Sequence, residues 1–305
     1  MIATANHAAG ALDPRVLSAI ADLELVARVT VDGTIAGLHR SPFHGYSAEF
    51  SQYRPYRAGD DLKYVDWKLY ARTDRFYTKQ FRETTNLLSL LALDASGSMG
   101  FAGANGITKF TYARLLGAAL SHLLTGQGDG IGLVVYDEAV RQFIPSRTGR
   151  AHLRSLLVAL SRVEPAGRTA AAAALRRGAE LLKRRGLILV FSDLYDDEEA
   201  LERELRRAIR MGHEVAVFHV LTPEEMTLGL AGEVEVEDLE SHQTVLTRVS
   251  VARGPYQARF GAFLERWRTR CTSYGIDYTR AVTDAPLDEA LRGFLLRRRV
   301  AGPAR

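Results

Sequence analysis

The sequence has one cysteine, Cys271, among 305 residues, so no disulfide can close within the chain. That usage fits a reducing compartment, and a cytoplasmic protein is expected. With no histidine near it in sequence, Cys271 reads as a small packing residue and not as a reactive thiol. No apolar run reaches the roughly 18–20 residues that a membrane span needs; LLSLLALDA has the length of a strand. The opening MIATANHAAGALDP has no basic segment ahead of an apolar one, so no secretory leader is expected. Neither sign of charge dominates. The balance of 40 Lys and Arg against 36 Asp and Glu leaves +4, which permits acidic partners without demanding nucleic acid.

Several catalytic signatures are also missing. There is no G-x-x-x-x-G-K-[ST] segment, so ATP hydrolysis by this chain is not expected. The glycine-rich GQGDGIG precedes a strand and does not open a helix, which makes it a turn and not a phosphate cradle. No H-E-x-x-H occurs and the eight histidines are scattered, which argues against zinc. A nucleophile elbow needs G-x-S-x-G, but Ser96 lies in D-x-S-x-S, and the last histidine, His242, falls in a hairpin-like stretch. Serine hydrolysis is therefore disfavoured.

What is present is a strong rhythm of apolar segments, with 47% hydrophobic residues to fill a core. Residues 14–29 have the spacing of a helix, and 30–84 read as loops with short strands such as RFYTKQF. From Thr85 strands alternate with helices. The strands are LLSLLALD, IGLVVYDE with an antiparallel VRQFIP, LILVFSD, HEVAVFHVL and IDYTRAVT. Between them lie KFTYARLLGAALSHLLTG, RAHLRSLLVALSRV, TAAAAALRRGAELLKRRG closed by Gly186, DDEEALERELRRAIRMG, a helix from Pro255, and APLDEALRGFLLRRR. The stretch EVEVEDLESHQTVLTR alternates like a hairpin. This order predicts an α/β fold: a mostly parallel central sheet with helices on both faces, preceded by a small N-terminal helix and short-strand segment. The division falls at 1–84 and 85–305.

Such sheets bind ligands at the carboxyl ends of their strands. In LLALDASGSMG a buried strand ends in Asp94, followed by Ser96 and Ser98. Asp193 ends a later strand, and Thr169 precedes a later helix. Two carboxylates and three hydroxyls are the ligand types of a hard divalent cation, Mg²⁺ or Mn²⁺. Taken singly, Thr169 and Asp193 read as ordinary helix caps. Ahead of the sheet, residues 50–84 interleave aromatics with bases, as in Tyr53, Arg54, Tyr56 and Arg57, but Asp60, Asp61, Asp66 and Asp74 nearly cancel the charge. An ion-paired mini-sheet or a partner surface fits that composition better than a nucleic-acid track.

The set Asp94, Ser96, Ser98, Thr169 and Asp193 resembles the metal-ion-dependent adhesion site of von Willebrand factor A domains. Arg168 stands where a glycine is common in that fold, which places a cation near the metal. Upstream, Arg54, Tyr56, Gly59, Asp60, Asp61, Asp66, Trp67, Ala71 and Arg72 resemble the block that precedes the A-type domain in the family called domain of unknown function 58. The resemblance implies a bacterial protein associated with a MoxR-type AAA+ ATPase. It implies a non-enzymatic, metal-dependent adaptor in chaperone-like remodelling or maturation of client proteins. The partner's carboxylate would complete the metal's coordination. The alternatives are a metal-dependent phosphoester hydrolase using the same ion, and nucleic-acid binding through residues 50–84.

Overall fold

The computed structural model describes residues 22–37, 48–57, 65–83, 87–240 and 243–301. His242 and residues 59–61 of the upstream block lie outside them. The expected helix over 14–29 falls partly outside too, and its described part, α1 (Leu23–Gly37), runs eight residues further than expected. The extension passes through β-branched Thr30 and Thr34, which weaken a helix in isolation. Here both are buried, and their hydroxyls bond back to the carbonyls of Val26 and Thr30. Strands β1 (Ala48–Pro55) and β2 (Tyr77–Glu83) form an antiparallel pair. Between them lies a helix the sequence reading did not foresee, α2 (Trp67–Thr73), started by Asp66, whose carboxylate accepts from the Lys68 and Leu69 amides.

The main sheet takes six strands: β3 (Leu88–Asp94), β4 (Gly130–Tyr136), β5 (Val140–Arg147), β6 (Gly186–Ser192), β7 (Glu214–Leu221) and β10 (Asp277–Val282). Their order is β10-β7-β6-β3-β4-β5, parallel except for β5 at one edge. The connecting helices are α3 (Lys109–Gly126), α4 (Arg150–Ser161), α5 (Ala171–Leu181), α6 (Glu198–Arg210), the single turn α7 (Pro223–Thr227), α8 (Val249–Ser273) and α9 (Leu287–Ala301). The short hairpin β8 (Glu233–Glu237) and β9 (Thr244–Arg248) pairs with itself. Alternate residues of each strand serve opposite cores, as strand geometry requires. Leu91, Leu93, Leu189 and Phe191 pack with α1, α3, α4 and α9, whereas Leu90, Ala92, Ile188 and Val190 pack with α5, α6 and α8. α1 thus buries Leu23, Val26, Ala27 and Val31 in the same core as the sheet. Among the described residues no helix is long and apolar enough to cross a membrane.

Two further boundaries differ. Gly186 does not close a helix; α5 stops at Leu181 and Gly186 is the first residue of β6. A Cβ there would lie 2.1 Å from the Leu88 carbonyl oxygen of the neighbouring strand, so the glycine is required by strand contact and not by a cap. Gly186→Ala is expected to cost about 3 kcal/mol, because rigid backbone has to shift. Urea unfolding measures it, and a loss below about 0.5 kcal/mol would show that β6 can move aside. The second difference is α8, which begins at Val249 and carries Pro255 inside it. Buried Val249 anchors the first turn, with its amide on the Gly232 carbonyl.

The topology decides where the site falls. From β3 the chain passes to β4 on one side, and later returns through α5 to β6 on the other. β3 is therefore the switch point of the sheet, and the crevice beyond its carboxyl end lies between connections that leave in opposite directions.

Candidate functional site

Asp94 is the last residue of β3 and is wholly buried. Its Oδ1 accepts from the Ser96 amide at 2.9 Å. Its Oδ2 accepts from Ser192 Oγ at 2.7 Å and from Thr169 Oγ1 at 3.3 Å. Burial pushes the Asp94 carboxyl up to about 7, and the charge of Asp193 adds to the rise against the hydrogen bonds from Ser192 and Ser96. After the strand the chain turns through a short 3₁₀ segment, Gly97–Gly100, which brings the Ser96 and Ser98 hydroxyls to 3.1 Å from each other.

Neither capping role holds for the other two predicted residues. The cap of α5 is Ala170, which makes no side-chain bond, and the Thr169 hydroxyl turns to Asp94 instead. The cap of α6 is Asp197, bonded to the Glu199 and Ala200 amides. Asp193 stands just past β6, its Oδ2 2.6 Å from Lys109 Nζ. The structure therefore joins Asp94, Ser96, Ser98 and Thr169 in one hydrogen-bonded cluster. Asp193 is beside that cluster, near enough for its charge to act on Asp94, but it is ion-paired to a lysine. Arg168, expected near the ion, has an exposed side chain, and its amide donates to Glu138 Oε1 at 3.3 Å.

Sequence reasoning missed four residues. Lys109, 1% exposed, bridges Asp193 and Glu225, with Nζ 2.5 Å from Glu225 Oε1. Burial pushes its ammonium down, but the charges of Asp193 and Glu225 outweigh this and hold it above its ordinary value. Part of its signal was available: a cation in the first turn of α3 opposes the helix dipole, which favours an anion facing it. Glu225 was also legible, since Thr222-Pro-Glu-Glu225 spells a capping box. The box forms, with Glu225 Oε2 accepting from the Thr222 amide at 2.8 Å, and it leaves Oε1 aimed at Lys109. Ser192 and Glu240 carried no local signal. Glu240 Oε2 accepts from the Thr169 amide at 3.2 Å, bringing the β8–β9 hairpin onto the cluster.

Backbone strain gathers here. Leu194, next to Asp193, has φ of 59°, a region that costs a non-glycine residue about 1 kcal/mol or more. The Ser192 hydroxyl holds it there, accepting from the Leu194 amide at 2.9 Å while donating to Asp94. His219 is buried behind the site, with Nε2 2.9 Å from the Asp193 carbonyl oxygen and Nδ1 2.7 Å from the Tyr278 hydroxyl. A carbonyl only accepts, so Nε2 donates and Nδ1 accepts. Burial pushes its pKa down to about 4, leaving the ring neutral at pH 7. Cys271 is buried in the core, and burial pushes its thiol up to about 12, in keeping with a packing role.

The donor set fits a hard cation. It is all oxygen, and Asp94 is a buried carboxylate with hydroxyl and amide partners. Glu240 Oε1 is a second buried oxygen, and it has no hydrogen-bond partner. Among the described residues no three His, Cys, Asp or Glu side chains cluster as metal ligands, so hydroxyls have to supply part of any shell. Away from this site, Tyr56, Trp67, Tyr70 and Phe76 pack on one another, with Tyr70 and Phe76 stacked at 4.3 Å between ring centres. Those rings form a local cluster in which Trp67 and Phe76 remain exposed.

Strand order and site together define an α/β domain with an oxygen-rich cluster at the switch point of its sheet. The chain belongs to the family described as protein of unknown function DUF58, whose model matches residues 52–262. Uncharacterized proteins of Mycobacterium bovis and Mycobacterium tuberculosis are 33% identical to it over 235 residues, 75% of this chain and 72% of theirs. Among solved structures, an aerotolerance-related membrane protein from Bacteroides fragilis aligns with a TM-score of 0.47 at 17% identity, over 70% of this chain and 98% of that one. The conserved hypothetical protein BatB of Bacteroides thetaiotaomicron gives 0.43 at 14% identity, again over 70% and 98%. The VWA domain of SpRpn10 gives 0.36 at 17%, over 44% and 75%. The fold assignment rests on the strand order of this chain itself.

Proposed function

We propose that the protein is a non-enzymatic, metal-dependent interaction module, an adaptor that works with a MoxR-type AAA+ ATPase in remodelling or maturing other proteins. One observation carries the metal part: the buried Asp94 carboxylate at the carboxyl edge of the sheet, bonded to the Ser192 and Thr169 hydroxyls and the Ser96 amide, with the Ser96 and Ser98 hydroxyls paired in the turn that follows it. Asp94, Ser96, Ser98 and Thr169 would hold the ion, with Asp193 adding charge from beside them. Bound there, Mg²⁺ or Mn²⁺ supplies a Lewis-acidic position for a carboxylate of the partner. The ATPase and its clients enter through the family resemblance.

Binding is favoured over phosphoester hydrolysis because the carboxylates at the strand ends and the histidine behind them are engaged. Asp94 is enclosed, Asp193 is paired to Lys109, and both ring nitrogens of His219 are in use. The test is capture of partners from the source's own lysate, using wild type with Mg²⁺, wild type with chelator, and Asp94→Ala. Retention of an AAA+ ATPase only by metal-loaded wild type is the expected result. Equal retention in all three would remove the ion from the interaction. Turnover in a phosphatase screen with Mg²⁺ or Mn²⁺ would replace this reading with the hydrolase.

A further inference from the structure

The β8–β9 hairpin leaves the main sheet and returns to it at its tip. The turn is closed by the Asp238 amide on the Gln243 carbonyl, and the Asp238 carboxylate accepts from the Glu240 amide at 2.9 Å. This sets two groups against the cluster. The Leu239 carbonyl oxygen comes so near Gly97, inside the D-x-S-x-S turn, that a Cβ there would lie 2.5 Å from it. The Glu240 carboxylate meets the Thr169 amide through Oε2, while Oε1 is buried with no hydrogen-bond partner. The Thr169 hydroxyl in turn contacts Asp94. A buried carboxylate oxygen without a donor is costly, and the cost falls if a cation stands in front of it.

We propose that Glu240 is an intramolecular ligand of the metal site, holding the position that a partner's carboxylate takes, so that the β8–β9 hairpin is a strap the partner must displace. The proposal rests on the metal-binding reading above and adds its regulation. It identifies the competitor by chemistry, an Asp or Glu side chain on an exposed segment of the partner. It also explains a glycine at position 97, since any side chain there would push the strap away. The competing account is that Glu240 only satisfies the Thr169 amide, before a helix whose own cap residue supplies no side chain. An amide oxygen does that equally well, so Glu240→Gln separates the two.

The experiment uses the full chain and Mn²⁺ alone as probe. Affinity is read by calorimetry, and the number of waters on the bound ion by water-proton relaxation. Wild type, Glu240→Gln, Glu240→Ala and Asp94→Asn are compared. If Glu240 is a ligand, both Glu240 variants bind Mn²⁺ about tenfold or more weakly, the scale on which ligand charge tunes hard-cation sites. Their bound ion also relaxes water faster, because a water replaces the carboxylate. Added acetate reverses that gain in Glu240→Gln and leaves wild type unchanged. If wild type binds Mn²⁺, Asp94→Asn does not, and both Glu240 variants match wild type in affinity and relaxation, the strap is overturned while the metal site stands. If wild type itself binds no Mn²⁺, both readings fall.

Discussion

Lys109→Met is expected to destabilise the metal-free protein by about 3–5 kcal/mol, the loss typical when one member of a buried ion pair is removed. Lys109 has 1% side-chain exposure and Asp193 none, so water cannot replace the lost partner. The variant leaves Asp193 beside Asp94 without its countercharge, and Glu225 loses its contact as well. Methionine keeps most of the volume, so the loss reports charge more than packing. Urea unfolding in chelator measures it. A loss under about 1 kcal/mol would mean that Lys109 is not the counterion of the site. Mg²⁺ should restore part of the loss, because a cation near Asp94 also relieves Asp193.

The second large effect concerns Asp94. A ligand present at a hundred times its dissociation constant stabilises a protein by about 2.7 kcal/mol. Wild type should show a stabilisation of that size with saturating Mg²⁺, and Asp94→Asn should show none. In chelator the variant should be at least as stable as wild type. Its amide oxygen still accepts from the Ser96 amide, the Ser192 and Thr169 hydroxyls can turn to accept from its Nδ2, and the buried charge beside Asp193 is gone. Thermal unfolding with and without Mg²⁺ gives both readings. A metal-induced rise that persists in Asp94→Asn would take Asp94 out of the ion's shell.

Much of the site was legible because its pieces are local. Asp94, Ser96 and Ser98 are neighbours in sequence, and the apolar run before them marks a strand whose end carries the site. The alternation of apolar strands with amphipathic helices led to the α/β layers, since each element's burial pattern is written in its own period. The same local reading misplaced Gly186, because a glycine after a helical run suits a C-cap as well as a strand pressed against its neighbour. It passed over α2, whose start depends on one carboxylate, Asp66, bonding two amides ahead of it. It also stopped short in α1, where tertiary burial of Thr30 and Thr34 outweighs their weak helix propensity.

By itself the sequence determined the alternating strands and helices of the main sheet, their order, and which strand ends in oxygen ligands. These follow from patterns a few residues long. The tertiary structure decided what those ligands face. Strand order brings Ser192 to Asp94 across 98 residues and Lys109 to Asp193 across 84, and the hairpin returns Glu240 to Thr169 across 71. No local period encodes which strand lies beside which. That is set by how the connections cross the sheet and by burial of both its faces, which only the whole chain satisfies together.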